Sequence, residues 1–311
     1  MIWDDEVDVV CTGSGLAGLA SAISAVDMGG EVFVASPHGA ADSVPSRIAV
    51  RSRVDSLIPW LDVDIWDAET NEFFAALSSD VGALRRSAFD VDVPIRAVHN
   101  LTLVDPRGTI PTFVGARLRD WTARCLASPS GYLYTRVSDW QSTPFCTPDG
   151  DTIEVAEIGS MTPEPDNVAG SVLDWLAAQA RDRWIEAYQN CSLERIVFEE
   201  GVVVGAVFTT PEGPLAIRAR HGVHVAADGL QNDAPAREQL VVGEGPLRVC
   251  LVGRAGSRFG RFELLTSEPF AHGAPTCRPK TRALHTSLHE TRAPLQTWRC
   301  GKLDGDPPLG Q

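Results

Sequence analysis

The sequence predicts an α/β fold: a parallel sheet with packed helices, a β-meander, and an inserted α+β region that caps it. Three observations predict it. First, an apolar strand at Val7–Cys11 runs through Gly13-Ser14-Gly15-Leu16-Ala17-Gly18 into a small-residue helix and a second apolar strand, all within residues 7–36. Such a unit joins parallel strands, because a parallel return needs a crossover. Second, a helical pattern over 171–189 is followed by three short strands with turn residues between them. Third, a last apolar strand, Val223–Ala227, ends in Asp228-Gly229.

Taken in order, the first unit is the most specific. Gly13 allows the tight turn, Gly15 lets a ligand approach the backbone, and Gly18 lets the helix pack close. The first helical amides then face outward at the positive end of the helix dipole, a setting for a diphosphate. The expected element is therefore a Rossmann-like dinucleotide-binding unit: Gly13, Ser14, Gly15, Leu16, Ala17 and Gly18 hold the diphosphate. In such a unit the second strand ends in an acid that accepts from the ribose hydroxyls. Here that position is Ser36, whose hydroxyl bonds ribose more weakly than a carboxylate does and carries no positive charge for a 2′-phosphate. An ordinary glycine-tight crossover without a ligand is the competing reading.

Residues 37–60 read as a Ser-, Pro- and Arg-rich loop with Arg47, Arg51 and Arg53 close together. Phe73, Phe74, Leu77, Val81 and Leu84 recur at helical spacing and predict a helix over 67–89. Residues 91–160 mix short strands and turns, with a short helix at Val114–Leu126. Over 171–189, Ser171 is the expected N-cap, and Leu173, Leu176, Ala177, Ala180, Trp184 and Tyr188 form one apolar stripe. The meander follows as Arg195–Phe198, Val202–Thr209 and Leu215–Ala219, with turns at Glu199–Gly201 and Pro211–Pro214. Residues 1–39 and 166–240 then make the dinucleotide-binding domain, 40–165 the inserted cap and substrate region, and 241–311 a C-terminal extension.

The chain has 311 residues and a formal net charge of −14. That charge argues against nucleic acid and anionic membrane as partners. It is uneven: residues 241–311 carry 10 basic and 6 acidic side chains, a net of +4. This basic, Pro- and Arg-rich extension is expected to attract either the acidic body of the chain or a partner protein. The acidic start of the chain fits no leader, no run is apolar enough to span a bilayer, and seven cysteines without a CxxC pair suggest a reducing cytoplasm.

The stretches DVVCTGSGLAGLASAISAVDMGGEVFVAS and RIVFEEGVVVGAVFTTPEGPLAIRARHGVHVAADG, in that order, give the chain a family resemblance. It resembles the FAD-dependent family that includes the fumarate reductase and succinate dehydrogenase flavoprotein subunits and the 3-ketosteroid Δ1-dehydrogenases. The resemblance covers about residues 5–36 and 171–232. It implies FAD rather than NAD, a hydride moved between a C–C bond and the flavin, and a small-molecule substrate between cap and sheet. It also places Ser36 at the adenosine ribose and Ala227, Asp228 and Gly229 along the dinucleotide. The chain departs from the family at Ser36, at Asp228 where a Thr is usual, in the segment after Pro37, and after residue 240, where no flavin-capping glycine-rich segment is seen. A non-catalytic partner or scaffold that has lost tight FAD binding is the alternative these departures leave open.

Catalytic candidates are few. Tyr132 and Tyr134 alternate with Leu133 as an acid–base pair or as two phenols on one strand face. Arg258 and Arg261 are candidates for a substrate carboxylate. Cys277, His285, His289 and Cys300 have ligand chemistry for zinc but match no common finger spacing, and a loose polar tail is the competing reading.

Overall fold

The computed structural model describes residues 1–37, 65–81, 93–97, 102–103, 114–136, 142–147, 151–226 and 245–266. Strand β1 (Asp5–Cys11) leads through the glycine turn into helix α1 (Leu16–Asp27) and strand β2 (Val32–Ser36). Then come α2 (Ala68–Ser78), β3 (Ile95–Ala97), β4 (Thr102–Leu103), α3 (Val114–Ala127), β5 (Gly131–Tyr134), β6 (Thr143–Cys146) and β7 (Thr152–Met161). Helix α4 (Val168–Asp182) precedes β8 (Ala187–Gln189), β9 (Ser192–Glu199), β10 (Val202–Thr210), β11 (Gly213–Ala226), β12 (Leu247–Gly253) and β13 (Phe259–Thr266).

All thirteen described strands belong to one sheet, parallel in part and antiparallel in part. Its parallel pairings are the run β8-β2-β1-β11 and the short β3 on β13. Beyond β11 the sheet continues antiparallel through β5, β13, β12 and β7, while β10 and β9 form the meander on the first half of β11. The described part of 40–165, expected as an inserted cap, contributes β3 to β7 to this same sheet. Residues 247–266, expected within the C-terminal extension, supply β12 and β13. Two layers of core lie on the sheet. Ala17, Ala20 and Ile23 of α1 and Leu176 of α4 pack with Val9, Val34 and Val249 on one face. Phe74 of α2 and Trp121 and Leu126 of α3 pack with Val10, Phe33 and Val225 on the other.

Several local expectations are corrected. Helix α4 is capped by Asn167, whose Oδ1 accepts from Gly170 N at 3.2 Å, not by Ser171. It stops at Asp182, so Trp184 and Tyr188 are not on its stripe. Trp184 adopts φ 60° and Ile185 N reaches back to Ala180 O at 2.9 Å. That is a Schellman ending, with Trp184 turned out to solvent and Ile185 buried. Tyr188 instead stacks on Phe33 from β8, ring centroids 4.6 Å apart. The predicted strands Leu215–Ala219 and Val223–Ala227 are one continuous strand, β11. The Arg220-His221-Gly222 break between them is a bulge, with Gly222 at φ 129° and the register against β1 shifted there. The strand continues because it pairs with β1 on both sides of the bulge, and at the bulge Arg220 is tied to Glu6 at 2.9 Å and to Asp8 and Glu31 at 3.2 Å each. The meander turn at Glu200-Gly201 appears as expected, both residues at positive φ.

Candidate functional site

The connection out of β1 runs by α1 to β2 on one side, while β11 lies on the other side of β1. Chain direction therefore diverges at the carboxyl end of β1, and such a switch point is where open α/β sheets bind ligands. Ser36 ends β2, Cys11 ends β1 and Ala226 is the last described residue of β11, all at this one edge. The edges are joined: Thr12 N donates to His224 O at 3.0 Å and Ala226 N donates to Thr12 Oγ1 at 3.3 Å.

The glycine turn closes tightly onto α1. A Cβ on Gly18 would lie 1.8 Å from Gly13 O, so only glycine fits there. Gly15 is the N-cap residue, with φ −74° and ψ −169° and no side-chain cap bond. The first turn of α1 carries no acidic side chain, so nothing of negative charge in that turn opposes an anion before Leu16, Ala17 and Gly18. This is a fit for a diphosphate. Ser14 and Ser36 meet directly, the Ser14 hydroxyl donating to Ser36 Oγ at 3.1 Å. Ser36 is buried, and its carbonyl accepts from Cys191 N at 2.9 Å. The end of β2 therefore presents a pair of neutral hydroxyls to this edge. Beneath the turn, burial pushes the Cys11 thiol up to about 12, opposed by the Ser21 hydroxyl beside it.

Ala227, Asp228 and Gly229 lie outside the described residues, as do Arg47, Arg51, Arg53, Cys277, His285, His289 and Cys300. No metal-binding cluster occurs among the described residues, and no helix among them is long and apolar enough to cross a membrane.

The remaining candidates are placed individually. Arg261 does not stand in an open cleft. Its Nε donates to Glu263, and its guanidinium lies 5.7 Å from the Trp121 ring. Glu263 has a fully buried side chain and is also gripped by Arg96, through bonds of 2.7 and 2.9 Å. Burial alone pushes this carboxyl up, but the hydrogen bond to Arg96 and the two guanidinium charges outweigh it and hold it below the usual range. Arg258 donates to Thr135 O at 2.9 Å and lies 5.9 Å from the Phe73 ring. Both arginines are thus engaged within the fold.

Tyr132 and Tyr134 do share a strand face, and a residue that sequence reasoning missed joins them. His224 of β11 is wholly buried, 4.7 Å from the Tyr132 ring and 6.1 Å from that of Tyr134. Neither imidazole nitrogen has a hydrogen-bond partner among the described residues. Burial pushes the His224 pKa down to about 3, and burial raises that of Tyr132. The signal was present in the sequence. His224 sits between Val223 and Val225, which face the opposite core layer, so strand alternation turns it inward.

No family model matches the sequence, and no curated protein matches it. Solved structures do resemble the chain. One is the 3-ketosteroid-Δ4-(5α)-dehydrogenase of Rhodococcus jostii RHA1, at 19% identity and a TM-score of 0.30, over 72% of this chain and 46% of that one. Another is a geranylgeranyl bacteriochlorophyll reductase-like protein of Thermoplasma acidophilum, at 15% identity and a TM-score of 0.29, over 83% and 56%. A third is aklavinone-11 hydroxylase in complex with FAD and aklavinone, at 19% identity and a TM-score of 0.26, over 70% and 32%. The chain spans between about a third and just over half of the length of these proteins.

Proposed function

We propose that the chain binds FAD at the Gly13–Gly18 turn and is an FAD-dependent oxidoreductase acting on a C–C bond of a small-molecule substrate. The observation that carries this reading is the carboxyl edge of the parallel strands: a glycine-only contact between Gly18 and Gly13 O, at the switch point between β2 and β11, before a helix start free of acidic side chains. Gly15 adds to it. Its φ and ψ are open to any residue, so its lack of a side chain answers a need for space in front of the helix. The order of this unit, the meander and the strand entering Ala227-Asp228-Gly229 supports FAD among dinucleotides.

In this reading the amides of Leu16, Ala17 and Gly18 hold the diphosphate, and Ser14 and Ser36 meet the adenosine ribose. Bound FAD supplies the acceptor or donor of the hydride; the substrate's neighbouring carbon correspondingly loses or gains a proton. The chain's own task is to bind and orient both partners and to keep water out.

The test is the visible spectrum of the purified protein, before and after incubation with excess FAD, with the released cofactor identified. About one FAD per chain, bleached by a hydride-donating substrate in the absence of oxygen, is the expected result. A folded protein that takes up no FAD overturns the proposal and favours a non-catalytic partner role, to which the neutral Ser36 and the carboxylate of Asp228 would then belong.

A further inference from the structure

Resting on the FAD reading, we propose that Tyr132 is the residue that hydrogen-bonds the flavin end of the bound dinucleotide, donating its phenol proton to a ring carbonyl oxygen, and that His224 is its positioning residue. Four observations carry this.

The first is place. Along the carboxyl edge the strands run β2, β1, β11, β5, and Tyr132 of β5 pairs with Ala226, the last described residue of β11. Neighbouring strands are about 4.8 Å apart, so three spacings set Tyr132 about 15 Å across the edge from Ser36. A dinucleotide with its ribose at β2 and its diphosphate at β1 extends its other half over β11 and β5.

The second is the seat. Tyr132 pairs with Gly260 of β13, and a Cβ on Gly260 would lie 2.3 Å from both Cζ and Oη of the phenol. A glycine inside a strand often marks such a close approach. The His224 ring stands 4.7 Å from the Tyr132 ring, tilted by 34°. The phenol is thus packed against the Gly260 backbone and flanked by the imidazole.

The third is the unspent donor. Tyr134, two residues on, donates its hydroxyl to His221 O at 3.4 Å. The ring nitrogens of His224 make no hydrogen bond among the described residues, and no hydrogen bond holds the half-buried Tyr132 phenol among them. Tyrosine hydroxyls in such surroundings normally find a partner.

The fourth is protonation. The burial that raises Tyr132, helped by the nearby Cys125, Glu263 and Glu154, keeps the phenol protonated. Burial keeps His224 neutral. Near pH 7 the pair therefore presents an O–H and an uncharged ring, which suits donation to a carbonyl and not capture of an anion.

The experiment is FAD titration of wild-type protein, Tyr132→Phe, His224→Ala and His224→Phe, read by flavin absorbance and fluorescence, with melting followed by circular dichroism. Loss of one hydrogen bond to the ring predicts about tenfold weaker FAD binding for Tyr132→Phe, with a displaced long-wavelength flavin band and an unchanged melt. His224→Ala gives the same displacement, and His224→Phe, which keeps a flat ring against Tyr132, restores the wild-type band. Wild-type binding with an unaltered band and affinity in Tyr132→Phe overturns the role of Tyr132. A His224→Ala band equal to wild type overturns that of His224. No FAD binding by the wild-type protein overturns the FAD reading itself, an outcome distinct from the other two.

Discussion

Replacing Glu263 by Gln removes a buried carboxylate that Arg96 and Arg261 share. The Glu263 side chain is 0% exposed, and those of Arg96 and Arg261 are 25% and 18% exposed. Arg96 uses two donors on it, at 2.7 and 2.9 Å, and Arg261 uses its Nε. Glutamine has nearly the same shape but offers one acceptor oxygen and turns an NH2 toward a guanidinium. Two positive charges are then left largely out of water without a counter-ion, and breaking such a pair costs about 3–5 kcal/mol. For a chain of this size that corresponds to a fall in melting temperature of about 5–8 °C. The control is Glu157→Gln, which breaks an Arg248 pair of 35% and 43% exposure and should cost under about 1 kcal/mol. Urea unfolding of both variants, followed by circular dichroism, reads the difference. Equal midpoints would refute the claim that burial makes the Glu263 cluster a structural clamp.

Three further predictions follow from named residues. His224 has its pKa pushed down to about 3 in the fold, against about 6.5 when exposed. The unfolded chain therefore takes up the proton first as pH falls, and stability that is full above about pH 6.5 is lost progressively toward pH 3. Between pH 7.5 and 5 this residue alone should account for about 2 kcal/mol, and a His224→Phe variant with the same pH dependence as wild type would contradict the assignment. Gly18→Ala places a methyl 1.8 Å from Gly13 O, so the turn must open; about 2 kcal/mol or more of lost stability is expected in thermal melts, and a melt like wild type would mean the turn is not so tightly closed. Trp184→Gly should stabilise the protein by about 1 kcal/mol, because a left-handed φ of 60° is held by an exposed tryptophan; an unchanged urea midpoint would argue against that strain.

Much of the fold was legible where the signal is local. The β1–α1–β2 unit was readable because its glycines sit at a fixed spacing between apolar runs. The meander was readable because Glu200-Gly201 is a turn that few residue pairs enter. Reading failed where two local patterns coincide. Trp184 and Tyr188 continue the four-residue spacing of α4, yet the helix ends in a Schellman turn because Ile185, not Trp184, is the residue that can be buried. Gly222 looks like a strand break but marks a bulge, since Arg220 and Thr135, which accepts from Val223 N at 2.8 Å, hold the chain extended. Of the site, the turn was legible, but the Arg96–Glu263 pairing spans 167 positions and the His224–Tyr132 contact joins two distant strands. No periodicity within one segment encodes such contacts.

The most direct test of the central claim is calorimetric titration of FAD into wild-type protein and a Gly15→Val variant. Gly15 has a φ of −74° that valine can adopt, so the variant should fold with a stability within about 1 kcal/mol of wild type. One FAD per wild-type chain, and none bound by an equally folded variant, is the predicted result. Equal FAD binding by both proteins, or none by wild type, would contradict a dinucleotide site at this turn.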